Sequence, residues 1–273
     1  MTAQPETPAH DMTAASNASP DASPDALPDA HAAELERLLA KARERYEVGF
    51  ETLTVDDAPL EILQIRNMTG HLDRLIATNA IKDPLRDLPL WAKIWPASFL
   101  LGRFLRKLDP AGKSLLEVGA GCGVTGLIAA RYGFARVTIT DVNDDALLFA
   151  RINVLRNGLA DRVEVRRCDI TTARLDTRYD VVAGAEILYL EDLHRPLAKF
   201  LARHVAPGGQ AMLCTDKRRK AAHFLKLAGR DFDVAEQPVG IKSTSDDGQE
   251  ERRLFLVHRL TPKRSGATTA TTA

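Results

Sequence analysis

The sequence predicts an α/β fold with a doubly wound, seven-stranded sheet, preceded by an N-terminal helix and a β-hairpin. Two observations favour this class. From residue 113 onward, short apolar runs alternate with helical stretches, which is the pattern of parallel strands joined by crossover helices. Near the C-terminus, two strand candidates follow one another without a helix between them. They predict one antiparallel strand in an otherwise parallel sheet.

The composition is that of a globular protein with balanced charge. The chain has 273 residues, with 37 Lys and Arg against 37 Asp and Glu, and 45% of its residues are hydrophobic. This length suffices for one large domain or two small ones. Residues 1–36 contain seven acidic side chains and no Lys or Arg, which leaves a net charge of +7 on residues 37–273. That excess is too small to indicate nucleic-acid binding.

The sequence shows no pattern of a membrane span, a signal peptide, a disulfide framework or a metal site. No apolar run approaches the roughly 18 residues that span a bilayer. A signal peptide needs early positive charge, and the first basic residue is Arg37, so the protein is expected to be cytoplasmic. The three cysteines, which form no C-x-x-C pair, are Cys122, Cys168 and Cys214. They predict neither a disulfide framework nor a metal site, and are read as buried apolar side chains.

Composition also divides the chain. Residues 1–30 are rich in Ala, Pro, Asp and Ser and contain no aromatic residue, Ile or Val, so they predict a disordered tail. A second disordered tail is expected over residues 261–273. Between the tails, we expect a lead-in segment over residues 31–112, packed on a ligand-binding core over residues 113–260.

The lead-in segment predicts three elements. Apolar residues at helical spacing predict an amphipathic helix over residues 31–47. These residues are Leu35, Leu38, Leu39, Ala42 and Tyr46. Thr52–Val55 and Leu60–Ile65, separated by a turn-rich connection, predict a hairpin. Pro96 opens a further helix, 97–108, which ends before a second proline.

The core predicts seven strands. Five apolar runs are expected to form parallel strands, at 114–118, 136–140, 163–167, 179–185 and 209–214. Helical stretches lie near 124–132, 144–156, 192–204 and 217–229. The last two strand candidates, 231–236 and 252–259, are connected by the polar loop 243–251, and should pair as a hairpin.

The first strand of the core enters a helix through a glycine-rich turn, with glycines at 119, 121, 123 and 126. Glycines there let the backbone approach a ligand closely. The spacing satisfies G-x-G-x-x-G, and Asp141 lies 20 residues past Gly121, so a dinucleotide is one candidate ligand. Glu117, at the strand end, would repel a pyrophosphate on the following helix. It favours a cationic ligand instead.

The same turn carries the pattern E-x-G-x-G-x-G, at Glu117, Gly119, Gly121 and Gly123. This pattern resembles the corresponding turn of class I S-adenosylmethionine-dependent methyltransferases, whose Rossmann-like sheet of seven strands also contains one antiparallel strand. The resemblance implies S-adenosyl-L-methionine as cofactor, which carries an ammonium and a sulfonium group. It implies that Asp141 binds the ribose hydroxyls and that Asp169 accepts from the adenine amino group. For Asp169, a solvated strand end without a ligand remains open.

Two further segments make the chain similar to the seven-strand protein lysine methyltransferases. Residues 90–98 resemble the family's Trp-containing segment, although Pro96 stands where an acidic residue is common. Residues 185–189, Ala-Glu-Ile-Leu-Tyr, resemble its acidic-x-x-Tyr motif beside the substrate channel. The N-terminal hairpin is also a family trait. The resemblance covers residues 50 to 260.

This resemblance implies specific roles. Trp95 and Ala185 would contact the cofactor, and Glu186 and Tyr189 would be catalytic residues facing a protein substrate. Structural alternatives remain open, because Trp95 could instead pin the helix 97–108 to the sheet. Glu186 and Tyr189 could be a cap and a rim aromatic below the fourth strand.

The chemistry of lysine restricts what Glu186 can do. A lysine with a pKa of about 10.4 is neutral only about once in 2,500 at pH 7, which costs roughly 4.6 kcal/mol. A sulfonium at about 4 Å offsets about 4 kcal/mol of this at an effective dielectric constant of about 20, and a carboxylate acts in the opposite direction. We therefore expect Glu186 to capture and orient the lysine rather than to remove its proton. Tyr189 would contact the same nitrogen.

Other functions remain as alternatives. The chain could methylate a small molecule or a nucleic acid, although the fourth strand lacks the Asn/Asp-Pro-Pro-aromatic motif of many nucleic-acid enzymes. The basic run 217–220 would then contact phosphate, but such runs are usually a solvated helix start. A non-catalytic cofactor-binding protein, docking through the hairpin and the first helix, is a third possibility. The sequence names neither the substrate nor the oligomeric state.

Overall fold

The computed structural model describes residues 29–55, 58–82, 87–244 and 250–263. The two tails predicted from composition therefore lie outside the described residues except at their inner ends. There the structure moves both boundaries. Asp29 begins the first helix, where its charge suits the helix N-terminus. Thr261 and Pro262 belong to the last strand, since they pair with the neighbouring strand.

The lead-in segment contains the predicted helix and hairpin with different limits. Its elements are α1 (Asp29–Arg43), β1 (Val48–Val55), β2 (Ala58–Ile65) and α2 (Met68–Ala77). The helix ends before Tyr46 and not at residue 47, because the Tyr46 ring turns away to pack edge-on against Trp91 and Phe149. Both hairpin strands are longer than predicted, since eight residue pairs form the ladder from Val48↔Ile65 onward. The sequence did not predict α2.

The core contains the seven predicted strands. They are β3 (Ser114–Val118), β4 (Arg136–Asp141), β5 (Val163–Arg167), β6 (Tyr179–Ala185), β7 (Val205–Asp216), β8 (Phe232–Thr244) and β9 (Glu250–Pro262). The helices around them are α3 (Pro96–Arg106), α4 (Val124–Arg131), α5 (Asp144–Arg156), α6 (His194–His204) and α7 (Ala222–Ala228). The strand order is β5-β4-β3-β6-β7-β9-β8, and β9 alone runs antiparallel to its neighbours. The predicted fold class is confirmed.

Several boundaries in the C-terminal half differ from the prediction, and β7 extends beyond the predicted 209–214 at both ends. Strands β8 and β9 extend into the predicted loop 243–251, because their ladder continues as far as Thr244↔Glu250. Helix α7 begins at Ala222, so the basic run 217–220 is a turn and not a helix start. This turn follows directly on the carboxyl end of β7.

The lead-in segment shares the main hydrophobic core. Leu60, Ile62 and Leu63 of β2 are almost fully buried, in the same cluster as the apolar faces of α3, α4 and α5. Burying such side chains contributes roughly 1.5–3 kcal/mol each. A second cluster lies on the other face of the sheet under α6 and α7. The hairpin is therefore held on the core rather than standing apart from it.

Two buried asparagines, Asn153 in α5 and Asn157 directly after it, connect the hairpin to the core through hydrogen bonds. The Leu63 N–H donates to Asn153 Oδ1 at 2.8 Å, and the Glu61 N–H donates to Asn157 Oδ1 at 2.9 Å. Asn153 also donates through Nδ2 to the carbonyl of Cys122 at 3.0 Å, in the glycine-rich turn. One side chain thus links the hairpin to that turn.

Three general features concern the described part of the chain. No helix there is long and apolar enough to cross a membrane. No cluster of three or more His, Cys, Asp or Glu side chains in those residues has the arrangement of a metal site. The three cysteines are buried and unpaired, and burial raises the pKa of each thiol.

Candidate active site

The residues predicted to form a site meet at one edge of the sheet. Strands β3 to β7 are parallel, so their carboxyl ends lie together. The glycine-rich turn follows β3, Asp141 ends β4, and Asp169 follows β5. Ala185 ends β6 and precedes Glu186.

The glycine-rich turn is confined by two other segments. Gly119 and Gly121 have φ angles of 60° and 56°, in the left-handed region that favours glycine. A Cβ atom on Gly121 would lie 2.6 Å from the carbonyl oxygen of Trp91, and one on Gly119 would lie 2.8 Å from Ile187 Cγ2. Gly123, with a φ of 84°, starts helix α4. The turn therefore leaves no room for side chains at Gly119 and Gly121.

The Trp-containing segment contacts this turn through Trp91. The Cys122 N–H donates to the Trp91 carbonyl at 3.0 Å, and the Trp91 ring stacks edge-on with Phe149 at 4.9 Å. Trp95 precedes α3, where its indole N–H donates to the Leu90 carbonyl at 3.1 Å. The Lys93 ammonium lies 5.1 Å from the Trp95 ring. The sequence did not predict this contact of Trp91 with the turn.

Glu117 is buried below the turn and does not face solvent. Only 2% of it is exposed, and its Oε2 accepts from the Gly126 N–H at 2.7 Å. Burial raises the pKa of Glu117 to about 7, although the hydrogen bond from the Gly126 N–H and the polar groups of Thr125 at the start of α4 oppose this shift. The Glu117 carboxyl can therefore gain or lose its proton near neutral pH, and a cationic ligand nearby would favour the ionised form.

The carboxylates of Asp141 and Asp169 accept hydrogen bonds from different groups. Asp141 Oδ2 accepts from the Gly121 N–H at 2.8 Å, and Oδ1 accepts from the Val142 and Asn143 N–H groups. Asp141 is therefore in direct contact with the glycine-rich turn. Asp169 accepts from the N–H and hydroxyl groups of Thr171, which lower its pKa. A hydrogen bond from the Cys168 N–H to the Asp141 carbonyl brings the two strand ends together.

Glu186 adopts an unusual backbone conformation. Its φ of 54° is in the left-handed region, which non-glycine residues rarely occupy and which strains the backbone. The Glu186 N–H donates to the Cys214 carbonyl at 2.8 Å. Its Oε1 accepts from the Asp216 N–H at 2.8 Å, and the side chain is only 10% exposed. Burial raises the pKa of Glu186.

Arginines surround the carboxyl end of β7. Asp216 is 4% exposed and accepts from Arg218 and from Arg253, each at 2.8 Å, and the hydrogen bonds from Arg218 hold its pKa well below the usual value. Arg219 Nε lies 3.5 Å from Glu186 Oε2. Two members of the basic run 217–220 therefore contact carboxylates of this site, which the sequence did not predict.

Tyr189 and Ile187 continue the loop after β6. Tyr189 is 44% exposed, and burial together with the Asp141 charge raises its pKa. Ile187 packs against Gly119 and Gly184, so this loop touches the glycine-rich turn. His194 is fully buried at the start of α6 and contacts the Leu188 carbonyl through Nε2 at 3.1 Å. The loop is thus held from both sides.

The arrangement joins two half-sites. Three acidic side chains, Glu117, Asp141 and Asp169, lie at or under the glycine-rich turn and its neighbours. Glu186 and Tyr189 lie beside them, across Ile187. The sequence missed Trp91, Ile187, Asn153 and Arg219, because each acts through a contact with a residue distant along the chain.

A family model described as lysine methyltransferase matches residues 81–230. Protein N-lysine methyltransferase METTL21A of Danio rerio is 36% identical over 155 residues, which cover 53% of this chain and 70% of that protein. The electron transfer flavoprotein beta subunit lysine methyltransferase of Mus musculus is 29% identical, covering 48% of this chain and 51% of that protein.

Solved structures share the fold. A putative RNA methyltransferase from Pyrococcus horikoshii superposes with a TM-score of 0.52 over 70% of this chain and 97% of that chain. Its sequence identity is 17%, so this likeness supports the arrangement of the sheet and says nothing about the acceptor.

Proposed function

The chain belongs to the lysine methyltransferase family, and on that premise we propose which residues hold the cofactor and which receive the acceptor lysine. The enzyme is an S-adenosylmethionine-dependent methyltransferase that acts on lysine in a protein. One observation carries the assignment of residues. The glycine-rich turn and the loop 185–189 touch each other through Gly119 and Ile187, so cofactor and acceptor sites would adjoin.

The residues at the glycine-rich turn fit this cofactor. At Gly119 and Gly121 a Cβ atom would lie closer than 3.0 Å to Ile187 and to the Trp91 carbonyl, so the turn can pack against these two segments only because both residues are glycines. Asp141 supplies a carboxylate beside the turn, suited to two ribose hydroxyls, and Asp169 supplies another at the next strand end. Glu117 supplies negative charge beneath it. Trp95 and Ala185 remain proposed cofactor contacts.

The cofactor, when bound, supplies an electrophilic methyl group on a sulfonium. The protein's contribution is to orient the acceptor and exclude water, since an in-line displacement needs no covalent enzyme nucleophile. Tyr189 is exposed and can contact an incoming amine. Glu186 lies deeper and supplies negative charge that attracts the ammonium form.

We propose the remaining assignments in the same terms. The substrate is a protein, and the enzyme is cytoplasmic, a location that the buried, unpaired cysteines suit because such thiols persist in reducing compartments. Residues 113–260 form the cofactor-binding core, and residues 31–112 support it. The hydrogen bond from the Cys122 N–H to the Trp91 carbonyl supports this packing of the lead-in segment on the core.

The experiment compares Glu186→Gln and Tyr189→Phe with the wild type. Each variant changes one functional group with little change of volume. Label transfer from methyl-labelled S-adenosylmethionine to proteins of a soluble extract should fall on the order of 10²-fold, about 2.7 kcal/mol, because a contact to the acceptor in the transition state is lost. Cofactor affinity, measured by calorimetry, should change less than about threefold, since binding contacts are elsewhere.

Matched controls are available nearby. Glu191→Gln removes an exposed carboxylate from the same segment, and Tyr132→Phe removes a hydroxyl outside the proposed site. Both should transfer label at the wild-type rate. Amino-acid analysis of the labelled protein should yield methyl-lysine. Wild-type rates for both site variants would show that Glu186 and Tyr189 are structural, and label in nucleic acid or small molecules would refute the substrate class.

A further inference from the structure

A buried carboxylate oxygen in the proposed acceptor half-site, which consists of Glu186 and Tyr189, lacks a hydrogen-bond donor. Glu186 Oε2 is shielded from solvent, and within the described part of the chain no donor has hydrogen-bond geometry to it. An unpaired buried carboxylate oxygen is costly, and native proteins retain few of them. Its nearest positive charge is Arg219, whose Nε lies 3.5 Å away as an ion pair.

This deepens the proposed function and rests on it. We propose that Arg219 is a positioning residue for methyl transfer, whose guanidinium offsets the charge of Glu186 and so lets the acceptor ammonium release its proton to solvent water. The neutral amine then forms a bond to the methyl carbon as the C–S bond breaks, and the sulfonium leaves as a neutral thioether. Glu186 alone would hold the lysine as an ammonium, which cannot attack a methyl group. A positive charge beside Glu186 opposes that effect while leaving the carboxylate to orient the acceptor.

The charges around this position support the proposal. The charged groups that act on Glu186 are Asp216 at the end of β7 and Arg219 in the following turn, and those that act on Tyr189 are Asp141 on β4 and Arg219. Asp216 is itself paired with Arg218 and with Arg253 on β9. Cys214 also faces Glu186, and burial keeps its thiol protonated. The carboxylates of Asp216, Asp141 and Glu186 are balanced by three arginines. Removing Arg219 leaves an excess negative charge.

Other observations single out Arg219 among the arginines. Arg218 and Arg253 are hydrogen-bonded to Asp216, so their charges are already paired. The Arg219 N–H donates to the Asp216 carbonyl at 2.9 Å, which turns this residue back toward the site. Burial raises the pKa of both Glu186 and Tyr189, and the Arg219 charge opposes that shift at each of them. Arg219 therefore acts on both residues of the acceptor half-site.

The first test needs no substrate. In protein carrying ¹³C-labelled Glu side chains, with the Glu186 resonance assigned by its loss in Glu186→Gln, the carboxyl group is titrated by NMR. Arg219→Gln should raise the Glu186 pKa by about half a unit or more, and Arg219→Lys should restore it. Lys220→Gln removes one charge from the neighbouring exposed residue and should leave that pKa unchanged.

The second test is the pH profile of label transfer to a dialysed soluble protein extract, with saturating S-adenosylmethionine. Loss of a positive charge near the lysine raises its pKa, so Arg219→Gln should move the acidic limb upward by about one pH unit. Transfer would then fall about tenfold near pH 7 and recover at higher pH. Glu186→Gln should move the limb downward, and Lys220→Gln should not move it.

Each outcome decides the question. An unchanged acidic limb in Arg219→Gln, or a loss that is equal at every pH, would overturn the role of Arg219 while leaving the proposed function intact. Wild-type transfer in both Glu186→Gln and Tyr189→Phe would instead refute the proposed acceptor site. If Arg219→Gln folds poorly, the comparison of Arg219→Lys with Arg219→Met, which keeps length but not charge, tests the same point.

Discussion

The contact between the Trp-containing segment and the glycine-rich turn can be tested with one matched pair of substitutions. Gly121→Ala and Gly112→Ala each place a Cβ on a left-handed residue, with φ angles of 56° and 70°. At Gly112 the new atom meets nothing within 4 Å, whereas at Gly121 it lies 2.6 Å from the Trp91 carbonyl oxygen. The pair therefore separates backbone strain from steric contact.

The expected magnitudes follow from these distances. An alanine in the left-handed region costs roughly 1–2 kcal/mol, and a less flexible unfolded chain returns about 0.4–1 kcal/mol. Gly112→Ala should lower the free energy of unfolding by about 1 kcal/mol. At Gly121 the Trp91 carbonyl must also retreat, which weakens its 3.0 Å hydrogen bond from Cys122 and costs about 1–3 kcal/mol more.

The measurement is denaturant unfolding at equilibrium, with melting temperature as a second readout. We expect Gly121→Ala to lose about 3 kcal/mol, or about 6–12 °C, and Gly112→Ala to lose about 2–4 °C. Gly121→Ala should also weaken cofactor binding, whereas Gly112→Ala should not. Equal losses in the two variants would refute the idea that Trp91 confines the turn.

Two further predictions concern the proposed cofactor half-site, which includes Glu117, Asp141 and Asp169. S-adenosylmethionine at about 100 times its dissociation constant should stabilise the protein by about 2.7 kcal/mol, roughly 5–10 °C, and NAD should not. Asp141→Ala should abolish most of that shift and Asp144→Ala should not, and a shift with NAD alone would contradict the cofactor assignment. Because the pKa of Glu117 is raised to about 7, the folded protein binds a proton that the unfolded chain releases near pH 4.5, so this group makes stability fall as pH rises between these values. The unfolding free energy of the wild type relative to Glu117→Gln should therefore fall by up to about 3 kcal/mol from pH 4.5 to pH 7, and parallel pH curves would show that this carboxyl does not titrate there.

Local sequence patterns were sufficient for the type and order of the core elements. Hydrophobic periodicity reports which face of a segment is buried, and the sheet of seven strands with β9 antiparallel follows from it. Boundaries were less predictable. The ladder of β8 and β9 extends into a polar stretch because backbone hydrogen bonds, and not side-chain hydrophobicity, hold it together. Helix α1 ends early because Tyr46 packs on aromatic residues that are distant in sequence.

The sequence by itself determined which strand ends carry acidic residues and where glycine is required. Parallel strands bring their carboxyl ends to one edge of the sheet regardless of the directions of the side chains. The directions of those side chains were decided only by the tertiary structure. Trp91 contacts the turn, and Glu186 points toward β7, because each depends on a partner 30 or more residues away along the chain. The basic run 217–220 looked like a solvated surface for the same reason. Its ion pair with Glu186 exists only once β6 and β7 lie side by side.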